Sequence, residues 1–317
     1  MLWEDYLYHL TPVEQVGPIF LKRDDKFAPL GPNNINGSKL RQLIWLFRQV
    51  ITSGNGVTSG AVKGSPQHAM VAAVAYHYRM KCVQFVGGKG EKDSDMVRMA
   101  RGFGAEVRYV NPGYAATLNS RAKVLAAELG FLHIQTNITV DEPRHKVHDF
   151  HLLGSEQVRN IPDGIETLIV PAGSCNSAVS VLYGVHRFRP KGLKRVVLLG
   201  IGSHGSREPL YILDRLGVVK LDAPLDFRPR FMNNEELPQG EADAPYDLIH
   251  YNLNGLGYCK YEDMMPYDHH GVQLHPRYEG KCFNFMTKHY VYARQFEKWW
   301  NEKTCFWVVG SMPKEMK

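Results

Sequence analysis

Three short segments of the 317-residue chain combine reactive side chains with small residues that would let a ligand approach closely. The first, residues 31–42, is a glycine- and asparagine-rich loop that leads into Lys39 and a helical pattern. The positive end of a helix dipole favours the neutral form of a lysine amine, and such an amine can form a Schiff base. The same pattern also fits an ordinary helical turn with a solvent-exposed lysine.

The second segment, residues 172–177, is the loop Ala-Gly-Ser-Cys-Asn-Ser between an apolar strand pattern and a helical pattern. Small residues let backbone N–H groups approach an anion, and the N-terminus of the following helix adds a partial positive charge. Ser174 and Ser177 can add hydroxyl donors. These properties suit a phosphate group, although many plain strand–helix turns have the same composition.

The third segment, residues 275–281, reads His-Pro-Arg-Tyr-Glu-Gly-Lys just before a helical pattern. Its Tyr278 and Glu279 could supply an acid–base hydroxyl and a carboxylate to one site. The alternative is an ordinary surface turn.

The elements that must position these segments alternate between strands and helices. In the first half, the sequence predicts strands at residues 56–59, 81–86, 105–110 and 132–135, and helices at residues 67–79, 93–103 and 115–129. The second half repeats the alternation, with strands at residues 166–171 and 195–201 and helices at residues 154–160 and 178–188. Such alternation is typical of βαβ units. We therefore predict an α/β protein of two open parallel-sheet lobes with a cleft between them.

The composition restricts the class of protein. Hydrophobic residues make up 44% and charged residues 22% of the chain, as in soluble globular proteins. The apolar runs are too short to span a bilayer and the N-terminus lacks a signal-peptide pattern, so we expect a cytoplasmic protein without membrane contact. The five cysteines include no C-x-x-C pair, which argues against a disulfide framework and against a cysteine zinc site.

Three histidines, His145, His148 and His151, are spaced to share roughly one face of a helix. A metal site would need further ligands, and no acidic or cysteine residue completes a convincing set. We interpret them as surface or interface histidines and expect no metal.

Positive charge is concentrated in one segment. The net charge of the chain is +6, and residues 187–230 alone contain ten lysines and arginines against four acidic residues. Such a segment can attract phosphate groups, including those of DNA. A solvated basic surface is the alternative, and charge alone favours that alternative.

Taken in order, the three segments resemble the tryptophan-synthase-β superfamily of pyridoxal-phosphate enzymes, which has the fold called type II. The resemblance is closest to the branch that contains aminocyclopropane-carboxylate deaminase and D-cysteine desulfhydrase. Residues 21–25 and 37–41 resemble the strand and Schiff-base lysine of that branch, and residues 58–75 resemble its substrate-carboxylate loop and helix. Residues 172–177 fall where its phosphate-binding loop is expected, and residues 275–281 resemble its motif Asp-Pro-Val-Tyr-Glu/Thr-Gly-Lys.

The resemblance implies a pyridoxal 5'-phosphate cofactor and a role for each matched residue. Lys39 would hold the cofactor and carry the proton at Cα, and Glu279 would keep the pyridine nitrogen protonated. Tyr278 would face the substrate, and Tyr258 would be a second tyrosine. Ser65 would contact the substrate carboxylate or assist proton transfer. The cofactor phosphate would be bound by Gly173, Ser174, Cys175, Asn176 and Ser177.

The resemblance also implies an assembly and a division of the chain. Members of the superfamily are usually dimeric, so a homodimer is expected. Residues 1–45 and 151–317 would form a larger cofactor-binding domain, and residues 46–150 would form a smaller α/β domain.

The chain departs from the pattern of that branch around the substrate. Pro66 stands where an asparagine usually contacts the cofactor, the loop reads Gly-Ser-Pro-Gln-His, and His275 replaces an aspartate. The helix expected before residue 275 is shortened to residues 263–272. These changes favour retention of the cofactor over retention of a free amino-acid substrate.

Two classes of function remain open. The first is a pyridoxal-phosphate lyase that acts at Cα of an amino-acid-like group, by decarboxylation, deamination or β-elimination through a Lys39 aldimine and a quinonoid. In one version the amino acid is joined to thymine in DNA, because some bacterial viruses use divergent enzymes of this class to trim such groups in the host cytoplasm. The altered loop and the basic segment 187–230 fit that version. The second class is a catalytically silent member that binds a ligand or partner, against which Lys39 and Glu279 together argue.

Overall fold

The computed structural model describes residues 3–31, 35–50, 55–89, 92–136, 138, 144–201 and 246–312. The chain divides into two compact units, of which the first comprises Met1–Leu7, Ala28–Glu142 and Pro313–Lys317, and the second comprises Tyr8–Phe27 and Pro143–Met312. Residues 28–45 therefore group with the first unit by compactness, whereas the resemblance placed them in the cofactor-binding domain. That functional division of the chain stays a prediction.

The described residues form strands and helices in the following order. The strands are β1 (Val13–Val16), β2 (Ile19–Arg23), β3 (Gly56–Val62), β4 (Lys81–Gly87), β5 (Glu106–Val110), β6 (Leu132–Ile134), β7 (Thr167–Ala172), β8 (Arg195–Gly200), β9 (Asp247–Asn252), β10 (Tyr267–His269), β11 (Val272–Leu274) and β12 (Thr304–Val308). The helices are α1 (Ser38–Val50), α2 (Gln67–His77), α3 (Asp95–Gly102), α4 (Ala115–Leu129), α5 (Arg144–Glu156), α6 (Asn176–Phe188), α7 (Glu279–Lys288) and α8 (Ala293–Glu297).

The first unit contains a parallel sheet in the order β5-β4-β3-β6. Strand β3 continues beyond its predicted end at residue 59 to Val62. At Gly60, a Cβ atom would lie 2.6 Å from the carbonyl oxygen of Leu118, so a glycine is needed where α4 approaches the strand. Helix α4 has the predicted bounds because Gly130 ends it in the left-handed conformation, with φ 62°.

The second unit contains a sheet in the order β1-β2-β12-β7-β8-β9, in which every neighbouring pair except β1–β2 is parallel. Apolar groups cover both faces. Leu168 packs in the cluster on the α6 face, and Ile169 packs with Phe283 of α7 on the other. Burial on both faces explains why β7 reads as a continuous apolar run. The carboxyl ends of β7 and β8 lie at the same edge of this sheet.

One predicted element is wrong, and one predicted helix is shorter than the observed helix. Residues 263–272 do not form a helix, because β10 and β11 pair as an antiparallel hairpin whose turn places His270 and Gly271 at positive φ, 49° and 87°. The helix predicted at residues 154–160 begins at Arg144 and ends in the 3₁₀ turn Gln157–Asn160. Residues 202–245, which include most of the predicted basic segment, lie outside the described residues.

The three spaced histidines all belong to α5. The surface interpretation is wrong for His151, which is buried with its Nδ1 atom 2.9 Å from the hydroxyl of Ser180. Within the described ranges, no group of three or more His, Cys, Asp or Glu side chains is placed to hold a metal ion. Of the helices that the structure describes, none combines the length and the apolarity needed to cross a bilayer.

Candidate active site

The loop between β7 and α6 is built to approach an anion. It turns at Cys175, which has the left-handed conformation with φ 64°, and α6 begins directly afterwards at Asn176. The first N–H groups of a helix have no partner within the helix, and they point out of its N-terminal end. The hydroxyl oxygen of Ser174 is buried and has no hydrogen-bond partner among the described residues. A phosphate at this loop would accept a hydrogen bond from the Ser174 hydroxyl and would lie at the positive end of the α6 dipole.

Gly173 lies between this loop and the third predicted segment. A Cβ atom there would lie 3.5 Å from Cε1 of Tyr278 and 3.9 Å from Cγ1 of Ile201, which are ordinary contact distances. The edge of the Tyr278 ring therefore flanks the loop. The protein itself has room for a methyl group at Gly173, so the absence of a side chain matters for a ligand that comes close to the backbone.

Glu279 is the first residue of α7 and its side chain is completely buried. Its Oε1 atom accepts hydrogen bonds from the backbone N–H groups of Val309 and Gly310, at 2.8 Å and 3.3 Å. Its Oε2 atom is buried with no partner in the described part of the chain. Burial raises the pKa of Glu279 to about 8, against the opposing effect of the backbone hydrogen bonds. The free oxygen is therefore positioned for a donor such as a protonated ring nitrogen.

Tyr278 is paired with a second tyrosine. Its hydroxyl lies 3.0 Å from the hydroxyl of Tyr261, and the two rings meet nearly edge to face. Burial raises the pKa of Tyr278 well above its usual value. The ring of His275 lies 4.7 Å from that of Tyr278, and burial lowers the pKa of His275 to about 3, so that its imidazole is neutral.

The structure does not bring Tyr258, the predicted second tyrosine, against Tyr278. The Tyr258 ring packs instead 5.2 Å from Phe285 and 5.4 Å from His289. Sequence reasoning missed Tyr261, since its contact depends on how the loop between β9 and β10 is folded and leaves no signal in residue spacing. A catalytic role for Tyr258 stays a prediction.

The remaining predicted residues belong to the first unit. Lys39 lies in the first turn of α1, where the carbonyl of Gly37 accepts from the N–H of Leu40 at 3.0 Å. Gly37 itself has φ 98°, which glycine adopts readily. Ser65 precedes α2, and its hydroxyl oxygen accepts from the N–H of Gln67 at 3.3 Å. Both residues occupy the helix starts that the motifs predict, and their roles stay predictions.

Solved structures show the class of fold. An ACC deaminase homologue has a TM-score of 0.67 and 15% identity, over 96% of this chain and 90% of that chain. Threonine deaminase isoform 2 from Solanum lycopersicum has a TM-score of 0.60 and 15% identity, over 97% of this chain and 85% of that chain. The protein thus has the α/β fold of the type II pyridoxal-phosphate enzymes, as the sequence predicted.

Sequence comparison gives the family. No model of a protein family matches the chain. The chain is 34% identical to the "O-seryl-dTMP PLP-dependent decarboxylase" of Salmonella phage ViI, over 98% of this chain and 84% of that protein. The chain belongs to the family of this phage decarboxylase.

Proposed function

We propose that this protein is a pyridoxal-phosphate-dependent decarboxylase that acts on a seryl group linked to a thymidine nucleotide of DNA. The name of the phage relative supports this reaction and this class of substrate. The observation that carries the proposal is the buried carboxyl of Glu279, with one oxygen fixed by backbone donors and the other without a described partner. Burial of a carboxyl group is costly in free energy, and a catalytically silent binding protein has no need of one at this position.

The residues of the second unit fit the cofactor. The loop at residues 173–177 would bind the phosphate through backbone N–H groups and the Ser174 hydroxyl. Oε2 of Glu279 would accept a hydrogen bond from the ring nitrogen. Tyr278 joins the two positions, because it precedes Glu279 in the chain and its ring edge flanks Gly173. When bound, the cofactor supplies an electron sink for the pair that a departing carboxylate leaves at Cα.

The chain's own side chains would then hold and move the protons. A tyrosine hydroxyl is protonated at neutral pH and burial raises the pKa of Tyr278 further, so that this hydroxyl can donate a hydrogen bond to the substrate. Tyr261 would hold that hydroxyl in position through their hydrogen bond. Lys39 would hold the cofactor and return a proton to Cα after carbon dioxide leaves, and Ser65 would contact the substrate.

We also propose that the basic segment 187–230 contacts DNA that flanks the reacting nucleotide. In its described part, Arg187 and Lys194 form ion pairs with glutamates at 2.8 Å and 3.0 Å. Arg189 and Lys191 are exposed and form no ion pair with a described residue. The segment starts at the C-terminal end of α6, and a helix of 13 residues spans about 20 Å, so these cations lie far from the 173–177 loop.

The assembly and the location follow from the same proposal. We propose a homodimer, which is the usual assembly of the superfamily that the chain resembles. The phage origin of the relative supports action in the cytoplasm of an infected host.

Mass analysis after incubation with DNA that carries O-seryl-thymidine, with unmodified DNA and with free serine tests the reaction. We expect the seryl DNA alone to lose the mass of carbon dioxide. Loss of the mass of ammonia would show that the reaction is deamination and not decarboxylation. Loss of the whole seryl group would show that it is β-elimination. A protein that has no visible cofactor absorbance and leaves every substrate unchanged would favour the silent member. Lys39→Ala is the matched control and should leave the seryl DNA unchanged.

A further inference from the structure

Arg277 is a half-buried cation without an acceptor among the described residues. Its guanidinium lies over the ring of Tyr261, 5.5 Å from the centroid, and it forms no hydrogen bond or ion pair within the described part of the chain. The other half-buried arginines among the described side chains of the second unit, Arg23 and Arg195, both donate to side-chain oxygens. The donors of the Arg277 guanidinium are therefore available for a ligand.

The position of Arg277 connects it to the proposed active site. The Tyr261 ring beneath the guanidinium is hydrogen-bonded to Tyr278, and the Tyr278 ring flanks Gly173 of the phosphate-binding loop. The described contacts thus connect the cation to that loop through two tyrosine rings. A cation connected in this way to the proposed active site is suited to an anionic group of the substrate.

The sequence around Arg277 supports a role in substrate recognition. The branch that the chain resembles has valine at this position of its Asp-Pro-Val-Tyr motif, so the guanidinium is a departure from that pattern. The substrate loop also departs from the pattern of that branch, because it contains Pro66. His68, in the same segment, is buried with its Nδ1 atom 3.0 Å from Oε1 of Gln84. The loop that usually binds the carboxylate of a free amino acid is thus altered in this chain. The chain also has a cation, Arg277, at a position of the second unit where the branch has valine.

Two anions of the proposed substrate could meet a guanidinium: the carboxylate of the seryl group and a phosphodiester of the nucleotide. Arginine binds both in the same planar geometry. A guanidinium on the carboxylate would stabilise a charge that decarboxylation must remove, which would favour the ground state over the transition state. We propose that Arg277 binds a phosphodiester group of the nucleotide that carries the seryl group; this inference rests on the proposed function.

Arg277→Gln tests the proposal. Lys298→Gln is the control, because Lys298 is an exposed cation of the same unit that likewise has no described ion pair. The two substrates are O-seryl-thymidine as a nucleoside and the same group within a short single-stranded oligonucleotide. We expect Arg277→Gln to lower kcat/KM for the oligonucleotide about 10- to 100-fold more than for the nucleoside, mainly through KM. Lys298→Gln should leave that ratio unchanged. Arg277→Lys should retain part of the kcat/KM for the oligonucleotide, because lysine keeps the positive charge but not the planar arrangement of donors.

Binding provides a second readout that does not require activity. Fluorescence anisotropy with an unmodified thymidine oligonucleotide should show weaker binding by Arg277→Gln and a log–log salt slope reduced by about 0.7. If Arg277→Gln lowers kcat/KM equally for the nucleoside and the oligonucleotide, Arg277 binds the seryl carboxylate. If the variant binds pyridoxal phosphate more weakly, Arg277 binds the cofactor. Either result overturns the proposal. So would a wild-type protein that binds no oligonucleotide, or equal binding by the variant. If the wild type binds but decarboxylates neither substrate, the proposed function fails while the binding comparison still decides the role of Arg277.

Discussion

Val309 donates its backbone N–H to Oε1 of Glu279 at 2.8 Å and so fixes the carboxyl that begins α7. Val309 directly follows β12, so the end of a strand within the larger sheet orients this side chain. The bond engages one oxygen and leaves Oε2 for another partner. Since no described cation bonds to the carboxyl and it is buried, its pKa rises to about 8.

Glu279→Gln should lower decarboxylation by about 10²–10⁴-fold, because an amide cannot hold a proton on the ring nitrogen through opposite charge. The fold should persist, since the amide oxygen can still accept from Val309. Cofactor should still bind, because the proposed phosphate contacts at residues 173–177 are unchanged in the variant. Steady-state rates and cofactor absorbance measured on the same preparations check this. Full activity in the variant would reduce Glu279 to a structural residue.

In the cofactor-free protein, the stabilising contribution of Glu279 should be lost between pH 6.5 and pH 8. Burial raises the pKa of Glu279 from 4.5 to about 8, so in this window the folded chain binds a proton that the unfolded chain releases. The contribution of Glu279 to the free energy of unfolding therefore falls as pH rises, by about 2 kcal/mol over this interval, and levels off above pH 8. Histidines whose pKa is lowered by burial, such as His275 and His250 at about 3 and about 4, act in the opposite direction, because the unfolded chain still releases their protons just above pH 6.5. The effect of Glu279 is therefore read from the difference between wild type and a variant without this carboxyl.

Urea unfolding at the two pH values, on wild type and Glu279→Gln, measures this slope. The variant has no proton to lose at this position and should show no decrease from pH 6.5 to pH 8. The same pH dependence in wild type and variant would contradict the raised pKa of Glu279.

Gly173→Ala should weaken cofactor binding at least tenfold while leaving the fold intact. A Cβ atom at this position would meet the protein only at ordinary contact distances, so the methyl group would disturb a bound phosphate and not the protein itself. Gly102→Ala is the control, because a Cβ there meets nothing within 4 Å. Titration with pyridoxal phosphate, followed by absorbance, gives both affinities. Equal affinities for the two variants would place the phosphate elsewhere.

Borohydride reduction of the holoenzyme should attach the cofactor covalently to Lys39. The buried lysines of the second unit are engaged elsewhere: Lys22 donates to the carbonyl of Thr11 at 2.7 Å, and Lys281 donates to the carbonyl of Tyr261 at 2.8 Å. Neither is available for a carbonyl compound, which supports the choice of Lys39. Peptide mapping by mass spectrometry locates the label, and a label on any other lysine would contradict the prediction.

Local signals in the sequence predicted much of the fold. Helix α4 was predicted with its observed bounds because Gly130 marks its end, and β7 was found because burial on both faces leaves an apolar run. The hairpin of β10 and β11 was missed, since strands of three residues are too short for an alternating pattern to be read. It also depends on positive φ at His270, a conformation that non-glycine residues rarely adopt.

Candidate site residues could be proposed from the sequence where they lie in one continuous motif. Residues whose place in the candidate site depends on tertiary contacts could not. Glu279 and the 173–177 loop lie within short segments whose residue types suggest their chemistry. The pairing of Tyr261 with Tyr278 joins residues from two segments, and the resemblance suggested Tyr258 instead. That Arg277 has no acceptor among the described residues is likewise a property of its surroundings, which the linear sequence does not contain.

The basic segment gives a prediction that separates its paired cations from its unpaired ones. Arg187 and Lys194 are already neutralised by glutamates, whereas Arg189 and Lys191 are exposed without a described ion pair. Each phosphate contact made by a cation contributes about −0.9 to the log–log slope of duplex affinity against salt. The double variant Arg189→Asn with Lys191→Gln should therefore reduce the magnitude of that slope by up to about 1.8. Asparagine is chosen at position 189 because it tolerates the left-handed conformation found there, φ 44°.

The matched control is Arg187→Gln with Lys194→Gln, which removes the same formal charge from the same segment. Because these cations already have glutamate partners, they release fewer counterions from DNA, and their loss should change the slope less. Anisotropy of a labelled duplex over a salt series measures both variants against wild type. A slope that neither variant changes would show that this part of the segment is only a solvated surface. An equal change in both would show that DNA displaces the glutamates, since the paired cations would then contact phosphates as readily as the unpaired ones.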